Sequence, residues 1–118
     1  MQKNPSDAAV LNALGYTLTD RTDRYEEAAD YLQKALELKP GEAVIMDSMG
    51  WLKFKRGQVE EALKILRKAY DKQPEHEIAA HLAEVLWVLG EQDEAREVFN
   101  KALEKAPKDE YLLKFQQV

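Results

Sequence analysis

Cysteine is missing from this sequence altogether, which excludes disulfides and thiolate-held metals and leaves the redox compartment open. Positive charge is in deficit: 17 Lys and Arg face 22 Asp and Glu, a formal net charge of -5. That balance argues against nucleic acid, whose phosphates demand a basic surface, and against an anionic membrane. No apolar run approaches the roughly 18 residues of a spanning helix, so direct membrane insertion is not expected. Breakers are scarce as well, with only 5 Gly and 4 Pro. What fills the chain instead is Ala, Leu, Glu and Lys, the composition of an all-helical protein. At 118 residues and 45% hydrophobic, it suffices for one domain or a short array of repeats with a modest core.

The scarce breakers are evenly spaced. Pro5, Pro40, Pro74 and Pro107 stand 35, 34 and 33 residues apart. Ala28, Ala62 and Ala95 align on that period, as do Ala35, Ala69 and Ala102, with Leu32, Leu66 and Phe99 between them. Upstream, Gly15, Gly50 and Ala83 align, each preceded by a larger apolar residue: Leu14, Met49 and Leu82. Two antiparallel helices approach closely only where side chains are small, which accounts for the Gly and Ala positions. The larger residues fill the gap between neighbours, and Pro ends the second helix of each pair.

A period near 34 that carries two amphipathic helices resembles the tetratricopeptide repeat family. The resemblance implies an all-α, right-handed α-α superhelix of three helix-turn-helix repeats. The expected segments are a leader over 1–5, repeats over 6–40, 41–74 and 75–107, and a capping helix over 108–118. Ser6 or Asp7 is expected to cap the first helix. The first turn, DRTDRYEEA, lacks Gly and is one residue longer than KRGQVEEA; there Asp23 and Glu26 suggest a capping box opening the second helix. In the tail, Tyr111, Leu112 and Phe115 on a polar background suggest the short cap that closes a solenoid. Pro5 stands in register as the closing proline of a preceding repeat, so the chain is expected to be a piece of a longer array.

The first helix of each repeat carries apolar residues beyond its core stripe. At 100° per residue, Trp51 lies about 200° from Met49, so the two are not expected to face one core. Trp51 and Phe54 share a face with Asp47. The equivalent residues are Asn12, Tyr16 and Thr19 in the first repeat and Ala80, Glu84 and Trp87 in the third. Side by side these nine form an aromatic and polar band, to which Lys55 and His81 are added as groove residues. In the family resembled, first helices line a concave groove that takes peptides or helices. The competing reading is that Trp51, Phe54 and Trp87 pack between repeats. Lys53 stands where its counterparts are Leu18 and Leu86, so its stem is expected to be buried and its ammonium to reach solvent.

Metal and catalytic readings are weak. HEIAAH (His76–His81) has one residue too many for a zinc-protease motif, which sets its two His about 140° apart on a helix. His81 and Glu84 have ligand spacing but lack a third partner, so His76 and His81 are expected to be solvated or to line the groove. No nucleophile sits beside a base. No cofactor, no metal and no enzymatic activity are expected.

Three stretches are similar to the C-terminal repeats of the long tetratricopeptide lipoproteins of proteobacteria: NALGYTLTDRTDRYEEA (12–28), IMDSMGWLKFKRGQVEEAL (45–63) and PEHEIAAHLAEVLWVLGEQDEA (74–95). The likeness includes the extra residue of the first turn and the shorter start of the third repeat. It implies a periplasmic adaptor, tethered to the outer membrane by a lipid on the parent's N-terminus. Some members of that family bind a carboxyl-terminal processing protease. The lipidated Cys is absent here, and no binding residues carry over. The chain departs from the co-chaperone type, which holds a C-terminal carboxylate with Lys and Asn; its band offers Asn12 and Tyr16, then Asp47 and Trp51, without the lysine. The sequence therefore points to a non-catalytic protein-interaction module. The alternative is a spacer that self-associates through its open ends.

If Ala62 sits at the closest approach of the middle pair, Ala62→Leu overpacks it and costs about 1–3 kcal/mol. An unchanged melting midpoint would refute that placement.

Overall fold

The computed structural model describes residues 7–105. It consists of six helices: α1 (Ala8–Arg21), α2 (Tyr25–Leu38), α3 (Ala43–Lys55), α4 (Val59–Lys72), α5 (His76–Val88) and α6 (Gln92–Lys105). They pair as α1–α2, α3–α4 and α5–α6, and successive pairs stack through α1–α3, α2–α3, α3–α5 and α4–α5. The expected leader over 1–5 and the capping helix over 108–118, with Tyr111, Leu112 and Phe115, lie outside the described residues.

Local chemistry sets the boundaries. Asp7 caps α1, its carboxylate accepting from the amides of Ala9 (2.8 Å) and Val10 (3.4 Å). α3 and α5 end on left-handed glycines, Gly57 (φ 84°) and Gly90 (φ 88°). Around each, an amide reaches back five residues, Gln58 to the Lys53 carbonyl and Glu91 to the Leu86 carbonyl, both at 2.9 Å. This closure satisfies carbonyls that the helix end would leave unpaired. α1 ends without glycine, on an extended Thr22. The capping box expected from Asp23 and Glu26 does not form. α2 starts instead after Arg24, which has no side-chain cap bond; its guanidinium pairs with Glu27, and its amide donates to the Thr22 hydroxyl at 3.1 Å. The extra residue of the first repeat goes into α1, 14 residues long against 13 for α3 and α5, and Asp23 stands one residue ahead of the N-cap position that Arg24 fills.

The period seen in the sequence is the packing code of the interior. Ala28, Ala62, Ala35 and Ala69 are fully buried, as are Leu32 and Leu66. In the third repeat Val98 is buried and Phe99 only partly, both within the cluster built on α4, α5 and α6. Lys53 lies half-buried with its ammonium 3.4 Å from Glu61, the geometry of a buried stem and an emergent charge. On the outer side, Arg67 of α4 forks onto Glu94 of α6 and holds that carboxyl below its usual range. Both partners are largely exposed, so the pair adds little stability.

α3 touches α1, α2, α4 and α5, and most of its length is covered, with Lys55 exposed at its end. Ile45, Asp47, Ser48, Gly50, Trp51 and Leu52 are all interior. The expectation that Trp51 turns away from the core assumed a helix with a single covered face. That holds for the outer helices α2 and α4, but not for a helix enclosed by four others.

At Gly50 a Cβ would fall 2.8 Å from Leu66 Cγ and 2.9 Å from its Cδ2, and Leu66 is fully buried. Gly50→Ala gains about 1 kcal/mol of helix propensity against an overpacking cost of about 1–3 kcal/mol. Its melting midpoint is expected to fall; a rise would show that Leu66 has room to yield.

Candidate functional site

α1, α3 and α5, the first helices of the three pairs, lie side by side. Their shared face gathers one side chain cluster. His81 of α5 sits at its centre, 3% exposed. Its Nδ1 is 2.9 and 3.1 Å from the two carboxylate oxygens of Asp47 on α3. Its Nε2 is 3.3 Å from the Tyr16 hydroxyl on α1. The imidazole stacks on Trp51, with ring centroids 4.3 Å apart and planes 26° apart. Trp51 stacks in turn on Phe54 at 5.1 Å, donates its indole N–H to Asp20 at 3.3 Å, and carries the Lys55 ammonium 5.4 Å from its ring centroid. One imidazole thus links all three pairs.

Electrostatics fix how this cluster is wired. Burial, then the charges of Asp20, Asp47, Glu77 and Glu84, push the Tyr16 phenol well above its ordinary range. It therefore stays protonated at neutral pH. With a hydrogen on Nδ1 the imidazole donates to Asp47, and its Nε2 faces the Tyr16 hydroxyl. The order Asp–His–Tyr resembles a catalytic relay, but a phenol held protonated in a field of carboxylates is a poor nucleophile. The same contacts tie α1, α3 and α5 together. Glu84, half-buried, has its carboxyl raised by burial, against partial relief from His81 and Lys55.

Beside the cluster an open cleft of about 160 Å³ runs between α1, α3 and the start of α5. Asn12, Tyr16, Asp47, Glu77 and His81 are among its walls. The Asn12 side-chain oxygen is shut off from solvent and accepts no hydrogen bond.

The nine-residue band expected from the sequence is therefore divided. Asn12, Tyr16, Asp47 and His81 meet at the cleft. Trp51, at 3% exposure, is not an open groove residue but core between repeats, with Phe54 partly buried beside it. Thr19 is buried, its hydroxyl turned back to the Gly15 carbonyl at 2.8 Å. Ala80 is buried too. Trp87 does not join the cluster: it stands 36% exposed under the Arg96 guanidinium of α6, 5.3 Å away. Lys55 is exposed over the Trp51 ring. His81, expected to be solvated or groove-lining, is buried and paired at the cleft's inner wall. Sequence reasoning missed the Asp47–His81 pair and the role of Asp20. The pair is separated by 34 residues, one more than the 33 that align Gly50 with Ala83, so the repeat period alone does not join them. Among the described residues no group of three or more His, Cys, Asp or Glu is placed to hold a metal.

Comparison with known proteins agrees with this architecture. Residues 8–42 and 53–117 match the tetratricopeptide repeat (TPR) family. Over 82 residues, 70% of the chain, it is 49% identical to a TPR repeat-containing protein of Pseudomonas aeruginosa, and it spans 14% of that relative's length. A thermophilic TPR protein of Thermus thermophilus has a TM-score of 0.78 and 28% identity, covering 92% of this chain and 61% of its own. The first TPR domain of human RPAP3, also at 0.78, is 19% identical over 94% of this chain and 87% of its own, a likeness of fold alone.

The burial pattern sets two outcomes. Trp51→Ala is expected to cost about 3–5 kcal/mol in denaturant unfolding, as for a core aromatic. Tyr16→Phe, which takes the phenol partner from the buried His81 Nε2, is expected to cost about 1–3 kcal/mol. The reverse ranking would place Trp51 outside the core.

Proposed function

The chain belongs to the tetratricopeptide repeat family, and from that premise we propose that it is a non-catalytic protein-interaction module. Its binding face is the cleft side of α1, α3 and α5, where a peptide or helix of a partner is held. The observation that carries this reading is the cleft itself, which opens at the junction of three helices whose polar side chains converge there. A buried hydrogen-bonded cluster behind an open cleft gives a rigid wall, and rigid walls lower the ordering cost of binding. The stacking of α3 between α1 and α5 gives a continuous face rather than separate patches.

The module works, in this reading, within a longer array. The parent is proposed to be a periplasmic, lipid-tethered adaptor of a carboxyl-terminal processing protease. That finer assignment rests on the three sequence stretches described above; the Pseudomonas relative, of which the chain spans 14%, bears on the length of the array alone. The second reading, a spacer or self-associating segment, assigns no occupant to the cleft.

A photo-crosslinking residue at Ala13, on the cleft wall, and another at Lys64, on the exposed side of α4, separates the two readings. In the full-length parent, a discrete heterologous adduct from position 13 alone is the expected result. Adducts only from position 64, or none from either, would contradict a cleft-borne partner.

A further inference from the structure

We infer that the cleft between α1, α3 and α5 receives a cationic side chain, Lys or Arg, from an extended segment of the partner. This deepens the cleft reading above and rests on it. Every charged side chain on the cleft wall other than His81 is a carboxylate: Asp47, Glu75 and Glu77. No lysine or arginine lines it. The positive end of the α5 helix dipole points here, but Glu75 at its cap and Glu77 in its first turn offset that field.

A separate observation concerns hydrogen bonding. The Asn12 oxygen on the same wall is buried and accepts nothing, a condition that native interiors seldom leave unmet. This oxygen is shut off from solvent as it stands, and rotation about the soft last torsion of the asparagine is what would bring it to a donor in the cleft. Lys and Arg offer donors only, and they carry the charge that Asp47 and Glu77 select. Size narrows the occupant further. About 160 Å³ falls below the roughly 300 Å³ at which small-molecule pockets begin, and fits one long side chain rather than a folded ligand. The negative field reaches beyond the cleft wall, since Asp20 and Glu84 join Asp47 and Glu77 in acting on Tyr16. A C-terminal carboxylate entering here would meet repulsion instead.

The test uses the whole chain, labelled with nitrogen-15, and three terminally blocked decapeptides: arginine alternating with serine, and its glutamine and glutamate counterparts. The arginine peptide is expected to shift the amides of Ala13, Ser48 and Ile78 on the cleft wall. Glu77→Gln and Asn12→Ala should each weaken it about threefold to tenfold. Glu60→Gln, an equal charge change on exposed α4, should leave it within about twofold. Equal weakening by Glu60→Gln would overturn the inference, because the peptide would then be sensing net charge alone. Glutamine or glutamate peptides binding the cleft as tightly would overturn the cation preference while leaving the cleft as a binding site. Silence of the cleft amides with all three peptides would overturn both.

Discussion

An imidazole taken out of water beside a carboxylate is stable only if each of its polar atoms finds a partner. His81 meets that condition by reaching across repeat boundaries, to Asp47 on α3 and Tyr16 on α1. Removing the imidazole would leave the Asp47 carboxylate without its partner in the interior, where an unpaired ion costs several kcal/mol. The pair therefore favours a narrow range of spacings between neighbouring repeats. In a solenoid, where each unit contacts only its neighbours, such a cross-repeat link limits pitch more directly than the apolar contacts do. Trp51 reinforces it by covering the imidazole face and excluding water. The cleft inherits its shape from this arrangement.

The apolar code and the polar cluster act at different levels. Gly50 against Leu66 and Gly15 against Leu32 let each pair close, and the fully buried alanines let the pairs stack. Those contacts make a helical array, as they would in any repeat of this kind. The Asp47–His81–Tyr16 cluster, with Glu75 and Glu77 beside it, makes the inner face at the cleft acidic and polar.

How much of this was legible in the sequence divides along the same line. The repeat and its helix pairs could be read because a turn needs Gly or Pro and a close contact needs Gly or Ala; few residue types can substitute. The cleft face was read only in part. A helical wheel separates Met49 from Trp51 correctly, yet α3 touches four other helices, so opposite faces are both core. Thr19 carried a polar label but spends its hydroxyl on its own helix. Trp87 occupies the position of Phe54 in the third repeat and faces Arg96 instead. Pairing of Asp47 with His81 needs the offset between two repeats, which spacing within one helix does not contain.

The central claim is that Asp47 and His81 act as one unit joining adjacent repeats. A double-mutant cycle in denaturant unfolding, with Asp47→Ala, His81→Ala and the pair combined, tests it most directly. A coupling energy above about 1 kcal/mol is the predicted result, as for residues sharing one buried contact. Single losses that simply add, within about 0.5 kcal/mol, would contradict it.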